Sequence, residues 1–222
     1  AALAYCEAEE HLDRLPRLFE IAARMQDRDP ESQTYGNFRW KWQDGSVLDR
    51  NAVEFSMQSA VVIQLRHREK LPAEVVGAFD ELLDLSAQGC VGHRVPVSYT
   101  NIALMNAQNL VLLGEGLARP DLVQEGRDRL REFLRYTRAN GIHEYCSPTY
   151  TGVDLGCLYL LQALTEDPEV REWSDVLLEL FWTDLSVNWF APAGKLSGAR
   201  SRDYDYLRGT GFLGGWLAAE GW

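Results

Sequence analysis

The segment EDPEVR at residues 166–171 has two counterparts upstream, KLPAEV at 70–75 and ARPDLV at 118–123. The three segments place Pro72, Pro120 and Pro168 48 residues apart, each at the predicted first position of an outer helix. Proline is favoured at the first position of a helix, because an N–H group there would have no helical partner. An apolar run precedes each segment (VVIQL, LVLLGEGL and LYLLQAL). The repeat unit is therefore predicted to be a loop, an apolar helix, a short turn and a proline-initiated helix.

The two kinds of helix in this repeat differ in polarity. Those that follow the long loops, at 102–117, 153–164 and 206–219, are almost entirely apolar or small, whereas those at 124–138 and 171–185 carry a charged face. A helix that is apolar all round is buried, and an amphipathic helix faces water on one side. We therefore predict an all-α fold in which repeated helical hairpins form an α/α toroid. Four hairpins are recognisable, fewer than toroids usually need, so a fragment of a larger ring is also expected.

The remaining boundaries follow from local pattern. Residues 3–26 have helical spacing, but Pro16 is predicted to bend or split that helix. The alternation FRWKW at 38–42 predicts a short strand, one of the strand-like segments expected in the loops at one end. The other helices are predicted from Asp49 to Arg68, from Pro72 to about Gln88, from Thr100 to Gly116, from Pro120 to Ala139, over 152–164 and over 168–187.

Composition limits the possible partners. The chain has 222 residues and a net charge of −11, and residues 1–222 are expected to form a single catalytic domain. No basic patch interrupts the acidic surface, which argues against a nucleic acid or an anionic membrane as partner. No apolar run approaches the roughly 20 residues of a membrane span.

The cysteines and the first residues bear on compartment and cofactor. The four cysteines are widely spaced without a CxxC pair, so neither a metal site nor any other cofactor is expected, while buried thiols and disulfides both stay open. The start, AALAYCEAEEHL, has helical character and no basic region, so no signal peptide is visible. The compartment is undetermined, with a secreted or extracytoplasmic location favoured. The oligomeric state is also open.

The loops that enter the apolar helices should lie at one end of such a ring. These loops are near 35–46, 92–100, 140–156 and 189–206. Polar, aromatic loops held by rigid helices are common places for binding and catalysis. The candidate site is therefore the mouth where the four loops converge.

Polar residues inside the apolar helices are the first candidates. Gln58, Asn106 and Asp154 occupy equivalent positions of the repeat, and Asn101 lies at the start of an apolar helix. A buried polar group needs a partner. These side chains are predicted either to face a polar ligand or to bond to neighbouring helices.

The loops supply the other candidates. The stretch NGIHEYCSPTYTGVDLG at 140–156 contains His143 and Tyr150, which can act as general acid or base. The segment GARSRDYDY at 198–206 combines arginines and tyrosines suited to a carboxylate ligand. Tryptophans in the loops could stack on sugar rings. The loop candidates besides His143 and Tyr150 are Arg200, Arg202, Tyr204, Asp205, Trp40, Trp42 and Trp189.

The hairpin repeat and these loops resemble the α/α-toroid carbohydrate-active enzymes, especially polysaccharide lyases of the alginate-lyase and heparinase II/III-like kind. Those enzymes neutralise a uronate carboxylate, remove the C5 proton and protonate the leaving oxygen. The resemblance implies that Asn106 or Arg202 neutralises the carboxylate, while His143 with Tyr150 or Tyr204 transfers protons. The adjacent Asn-His pair of several such lyases is absent, so both neutralisers stay open. The implied partner is an oligo- or polysaccharide containing uronate.

Two alternatives remain at this stage. A glycoside hydrolase on the same ring would use two carboxylates from Glu144, Asp154, Asp203 and Asp205, about 6.5–9.5 Å apart if inverting. A non-enzymatic helical-repeat scaffold would present an open superhelix with a concave groove. The apolar inner helices argue against the scaffold, because scaffolds keep their concave helices polar.

Overall fold

The computed structural model describes residues 1–204 and 211–221. The chain is mostly helical, with 67% helix and 3% strand, so the predicted all-α class is confirmed. The helices of the described residues are α1 (Ala2–Ala8), α2 (Leu15–Met25), α3 (Ala52–Val62), α4 (Ala73–Gly92), α5 (Thr100–Gly116), α6 (Pro120–Asn140), α7 (Tyr150–Leu164), α8 (Pro168–Asn188) and α9 (Leu213–Ala219).

Two of the three proline-initiated helices begin at the predicted residue, and the third begins one residue after its proline. Pro120 and Pro168 are the first residues of α6 and α8, and Pro72 directly precedes α4. The carboxylate of Asp167 caps α8 by accepting hydrogen bonds from the backbone N–H groups of Glu169 (2.9 Å) and Val170 (3.1 Å). This cap supplies acceptors for two N–H groups that have no partner within the helix.

The first predicted helix is split, as Pro16 suggested. Helix α1 ends at Ala8, and Glu9 and His11 both have a left-handed backbone with φ of 56°. Pro16 lies in the first turn of α2, so the break precedes it. Helix α3 is followed by a π turn over Ile63–His67 and a short 3₁₀ helix, which together end near the predicted boundary.

Strand structure is confined to short segments. Strands β1 (Trp189–Phe190) and β2 (Lys195–Leu196) pair antiparallel in the loop after α8. The FRWKW segment forms no strand; Phe38 makes an isolated bridge to Gln26. The chain turns within the segment itself, where the backbone N–H of Asp44 donates to the carbonyl of Lys41 (3.1 Å), so the alternation cannot continue as a strand.

The chain divides into two compact units. Unit 1 comprises Ala1–Arg94 and Asn109–Gly126, and unit 2 comprises Val95–Gln108 and Arg127–Trp222. Helices α5 and α6 therefore contribute residues to each unit. Each unit has its own apolar interior and is described separately below.

Unit 1 is built around the packing of α2, α3 and α4. The rings of Phe19 and Phe79 lie 5.0 Å apart, and Leu15, Met57 and Leu83 are buried. Gly114 of α5 lies close to the first turn of α6. A Cβ added to Gly114 would lie 2.6 Å from the backbone nitrogen of Val123, so only glycine permits this close approach of the two helices.

A polar cluster is buried within unit 1. The carboxylate of Glu54 is completely buried, and its Oε1 lies 3.2 Å from Nδ1 of His93. Its Oε2 accepts a hydrogen bond from Nδ2 of Asn109 (2.8 Å) and lies 3.6 Å from Sγ of Cys90. Because all four side chains are buried, this cluster joins three helical segments inside the unit.

Unit 2 is organised by the pairing of α7 with α8. The indole Nε1 of Trp182 donates to the hydroxyl of Tyr159 (3.0 Å) across the pair. Helix α9 approaches α7 closely, since a Cβ on Gly152 would lie 2.7 Å from the backbone nitrogen of Leu213. The buried apolar side chains of the pair include Leu155, Leu158, Leu161, Leu177, Phe181 and Leu185.

Burial follows the predicted polarity in α5 and α6 but not in α9, the described part of the apolar helix predicted at 206–219, where Leu213 and Leu217 are buried and the other positions are half-buried or exposed. Every residue from 100 to 114 in α5 is buried, whereas α6 alternates buried and exposed positions. The four cysteines, Cys6, Cys90, Cys146 and Cys157, are buried free thiols. In the parts of the chain that are described, no helix has both the length and the apolar character that spanning a bilayer requires.

Candidate functional site

An open cavity of about 650 Å³ lies within unit 2. This volume is in the range of pockets that hold small ligands or a few sugar units. The wall is mostly polar and aromatic, and two segments that are far apart in sequence, the 140–149 loop and the 198–204 segment, meet there. It is lined by Ser98, Tyr99, Asn140, Ile142, His143, Glu144, Tyr145, Ser201 and Arg202.

Glu144 fixes the 140–149 loop to the beginning of α5. Its backbone N–H donates to Oγ1 of Thr100 (3.1 Å), and its Oε2 accepts from the backbone N–H of Asn101 (2.8 Å). A carboxylate is well placed at a helix N-terminus, where backbone N–H groups lack helical partners and the dipole favours negative charge. Glu144 is therefore a buried anchor for this part of the wall.

A second connection joins the 198–204 segment to the same loop. The hydroxyl of Ser201 donates to the backbone carbonyl of Tyr145 (2.9 Å), and so does the Ser201 N–H (3.2 Å). Gly141, with φ of 77°, has a left-handed backbone just after α6 ends and allows the chain to turn into the loop. These contacts hold the two segments together at the cavity.

Arg202 occupies the centre of an aromatic cluster. Its guanidinium donates to Oε1 of Glu144 (2.9 Å) and to the hydroxyl of Tyr204 (2.6 Å). It lies 4.3 Å from the ring centroid of Tyr150 and 5.6 Å from those of Tyr99 and Tyr204. We call these five residues the Arg202 cluster.

The cluster changes the acidity of its members. Burial lowers the pKa of Arg202, but hydrogen bonds to Tyr204, Glu144 and Tyr99 outweigh that effect and raise it. Burial first, and then its hydrogen bond to Tyr204, raises the pKa of Tyr150 well above its ordinary value.

Tyr204 responds in the opposite direction. Hydrogen bonds from Arg202 and then from Tyr150 lower the pKa of its hydroxyl. Its side chain is also 63% exposed, so it is open to a ligand. Tyr204 is thus the tyrosine of the cluster that ionises more readily, and Tyr150 is the one that keeps its proton.

Asp154 lies close to this cluster without joining it. It is completely buried, and neither carboxylate oxygen has a hydrogen-bond partner within residues 1–204 and 211–221. Burial, followed by the negative charge of Glu144, raises its pKa well above the ordinary value. Asp154 is therefore held as a neutral acid. Asn101 is buried as well, and its Oδ1 also lacks a partner in that part of the chain.

The other candidates of unit 2 are placed away from the cavity wall. Oδ1 of Asn106 accepts a hydrogen bond from Arg129 of α6, which agrees with the structural interpretation of that asparagine. Arg200 pairs with Asp203 and donates to the carbonyl of Leu196 (3.2 Å). Trp189 is half-buried in β1. Asp205 lies outside the described residues.

The two remaining tryptophans belong to unit 1. Trp40 lines a mainly apolar cavity of about 350 Å³ together with Phe55, and its Nε1 donates to Oδ2 of Asp49 (3.0 Å). Trp42 is 53% exposed, with the guanidinium of Arg39 5.8 Å from its ring centroid. Neither is among the residues that line the unit 2 cavity.

The structure therefore brings Tyr150, Arg202 and Tyr204 together and places His143 on the cavity wall that Arg202 also lines. It adds two residues that were not selected from the sequence for this role. Tyr99 comes directly before α5, as Tyr150 begins α7, and that shared position at the start of an apolar helix was the available signal. Glu144 was considered only as a hydrolytic carboxylate. Its pairing with Arg202 joins residues 58 positions apart, which no local pattern reveals.

No cluster of three or more His, Cys, Asp or Glu side chains suited to a metal ion occurs in the described part of the chain. A family model described as a domain of unknown function, DUF8769, matches residues 7–219, so the chain belongs to that family. No curated protein and no solved structure matches the chain significantly.

Proposed function

We propose that this member of the DUF8769 family is a polysaccharide lyase that cleaves a uronate-containing glycan by β-elimination. The observation that carries the proposal is the Arg202 cluster, in which a guanidinium on the wall of an open cavity lowers the pKa of the exposed Tyr204. Elimination next to a uronate carboxylate needs a cation, a base and an acid. Arg202 and His143 line the cavity, and the exposed Tyr204, which accepts a hydrogen bond from Arg202, supplies the third residue.

Arg202 is assigned the role of the cation that neutralises the uronate carboxylate. A guanidinium has five N–H donors, and hydrogen bonds to Glu144, Tyr204 and Tyr99 use part of that set. The remaining donors can bind a carboxylate, since arginine matches its planar geometry. Neutralising the carboxylate makes the C5 proton more acidic.

Tyr204 is assigned the role of the base. Its phenolate removes the C5 proton, and the C5–H electron pair forms the double bond between C4 and C5. The C4–O bond breaks, and its electron pair leaves with the glycosidic oxygen. The hydrogen bonds from Arg202 and Tyr150 are already formed before the reaction, so they stabilise the phenolate without any rearrangement of the donors during it.

His143 is assigned the role of the acid that protonates the leaving oxygen. It is exposed on the cavity wall, on the loop whose following residue is Glu144. Histidine is the side chain most often used for such proton transfers. Tyr150 keeps its proton and acts by orienting Tyr204.

The α/α toroid is part of the same proposal. Three successive helix pairs, α3 with α4, α5 with α6 and α7 with α8, support a hairpin repeat. The complete burial of α5 from residue 100 to 114 supports its position as an inner helix.

One observation favours a glycoside hydrolase instead. Asp154, held neutral, lies near Glu144, and glycoside hydrolases use two carboxyl groups as acid and base. However, Asp154 is completely buried and Glu144 is bonded to Arg202, so neither offers a free carboxyl to a sugar. The lyase is therefore the better supported function.

The test measures the ultraviolet absorbance of the unsaturated product with Tyr204→Phe and Tyr5→Phe as a matched control in unit 1. We expect the first variant to lose about a hundred- to ten-thousandfold in rate while retaining glycan binding, and the control to lose nothing. The wild-type pH–rate profile should be bell-shaped with a midpoint below 10, the ordinary tyrosine pKa, because the base Tyr204 must be ionised while the acid His143 must be protonated. Release of reducing sugar without an unsaturated product would support the hydrolase.

A further inference from the structure

The charges on the cavity wall are balanced. The positive charge of Arg202 is compensated by Glu144, 2.9 Å away and buried. Besides His143, the other polar groups of the wall are hydroxyls and an amide, from serines, tyrosines and Asn140. The wall therefore has the hydrogen-bonding capacity to bind sugars but little net positive charge.

The second arginine of the same segment does not alter this balance. Arg200 pairs with Asp203 and donates to a backbone carbonyl, so its charge is compensated within its own segment. It is not part of the cavity wall. The net charge of −11 on the whole chain also disfavours the approach of a polyanion.

A glycan with a charge on every sugar needs a matching series of cations. Polyanions are bound mainly by such cations, and the affinity then falls steeply as salt rises. Among the residues that the structure describes, the wall contains Glu144 and no arginine besides Arg202, so a second carboxylate near the first would gain no ion pair and would be repelled by Glu144.

We infer that the site takes a glycan in which an isolated uronate is flanked by uncharged sugars, rather than a polyuronate or a sulfated glycan. This inference rests on the proposed function for the single carboxylate beside Arg202. The uncharged neighbours donate to and accept from wall groups such as Ser98, Asn140 and Ser201. The ring of Tyr145, which is 46% exposed, offers an apolar face to a sugar.

Binding is measured with Tyr204→Phe, so that the ligand is not consumed. The probes are two hexasaccharides of equal length, an unsulfated one in which glucuronate alternates with an uncharged sugar, and an oligoglucuronate. We expect the alternating probe to bind at least about tenfold more tightly at low salt, since it needs one ion pair. The slope of log affinity against log salt should be about −1 or shallower, as expected for one ionic contact.

A charge-addition variant sharpens the test. Asn140 is exposed at the C-terminal end of α6, where a cation is compatible with the helix dipole. Asn140→Lys should raise the affinity for oligoglucuronate several-fold and steepen its salt slope by about one. Asn140→Gln, the matched neutral change, should do neither.

The outcomes separate this inference from the function it rests on. Preferential binding of the alternating probe without an unsaturated product from the wild type would retain the ligand class and reject the lyase. Tighter binding of oligoglucuronate, a slope steeper than about −3, or no binding of either probe would overturn the inference.

Discussion

Two buried glutamates, Glu54 in unit 1 and Glu144 in unit 2, have nearly the same burial and very different surroundings. Glu54 is surrounded by His93, Asn109 and Cys90, which are themselves buried. Glu144 is paired with Arg202, whose guanidinium reaches the wall of an open cavity. The comparison shows that burial of a carboxylate does not by itself indicate function. What matters is whether its partner is enclosed or available to a ligand.

Replacing Glu54, whose partners are all buried, should mainly lower the free energy of unfolding. Glu54→Ala removes an acceptor from buried donors, and we expect the free energy of unfolding to fall by about 3 kcal/mol. Denaturant unfolding measures the loss. The proposed elimination, per folded molecule, should be unchanged, because the Glu54 cluster lies within unit 1 and none of its residues lines the unit 2 cavity.

Glu54→Gln is the matched control, since it keeps the shape and one acceptor oxygen, and its loss should be smaller. A large drop in activity with unchanged stability would contradict the comparison and give Glu54 a functional role.

Replacing Glu144, whose partner Arg202 reaches the cavity wall, should mainly affect the proposed catalysis. Glu144→Gln keeps an acceptor for the Asn101 N–H but removes the charge that orients Arg202, and we expect a loss in kcat/KM on the order of a hundredfold. The negative charge of Glu144 raises the pKa of Tyr204, so its removal should move the midpoint of the pH–rate profile to lower pH. Initial rates over a pH series measure both effects.

A purely structural role for Glu144 would leave the pH–rate midpoint unchanged. Arg94→Gln, which removes an ion pair with Glu125 at an exposed site, is a suitable control and should change neither the rate nor the midpoint.

Replacing Asp154 should have the smallest of these effects, a change in the free energy of unfolding that depends on pH. The folded-state pKa of Asp154 is raised, so the unfolded chain releases its proton first as pH rises through the ordinary value near 4. The free energy of unfolding of the wild type is therefore highest below that value and falls until the folded pKa is reached.

Asp154→Asn removes this dependence. Compared with the wild type, the variant should gain stability as pH rises above the ordinary value near 4, until the raised folded-state pKa is reached, and chemical unfolding at several pH values measures the gain. A difference between the two proteins that does not change with pH would show that the pKa of Asp154 is not raised.

The helices were predictable because their signals are local. The boundaries of α5 at Thr100 and Gly116, and the beginnings of α6 and α8 at prolines, match the sequence analysis. The split near Pro16 and the burial of α5 were also expected. The predicted strand at FRWKW was wrong, because a turn that begins at Lys41 interrupts the alternation of the side chains.

The site was predictable only in part. His143, Tyr150, Arg202 and Tyr204 could be proposed from their chemistry and from the loops that carry them. Asn106 could not be separated from them by sequence, although the structure directs its amide to Arg129.

The sequence by itself determined the helical class, the positions of most helices and the segments with reactive side chains, because proline placement and apolar periodicity act within a few residues. Only the tertiary structure decided that Glu144 binds Arg202, that Tyr204 rather than Tyr150 has the lowered pKa, and that Asp154 is neutral. Those properties depend on burial and on charges brought close by folding. Residues that are 58 positions apart in the chain have no interaction until the chain folds.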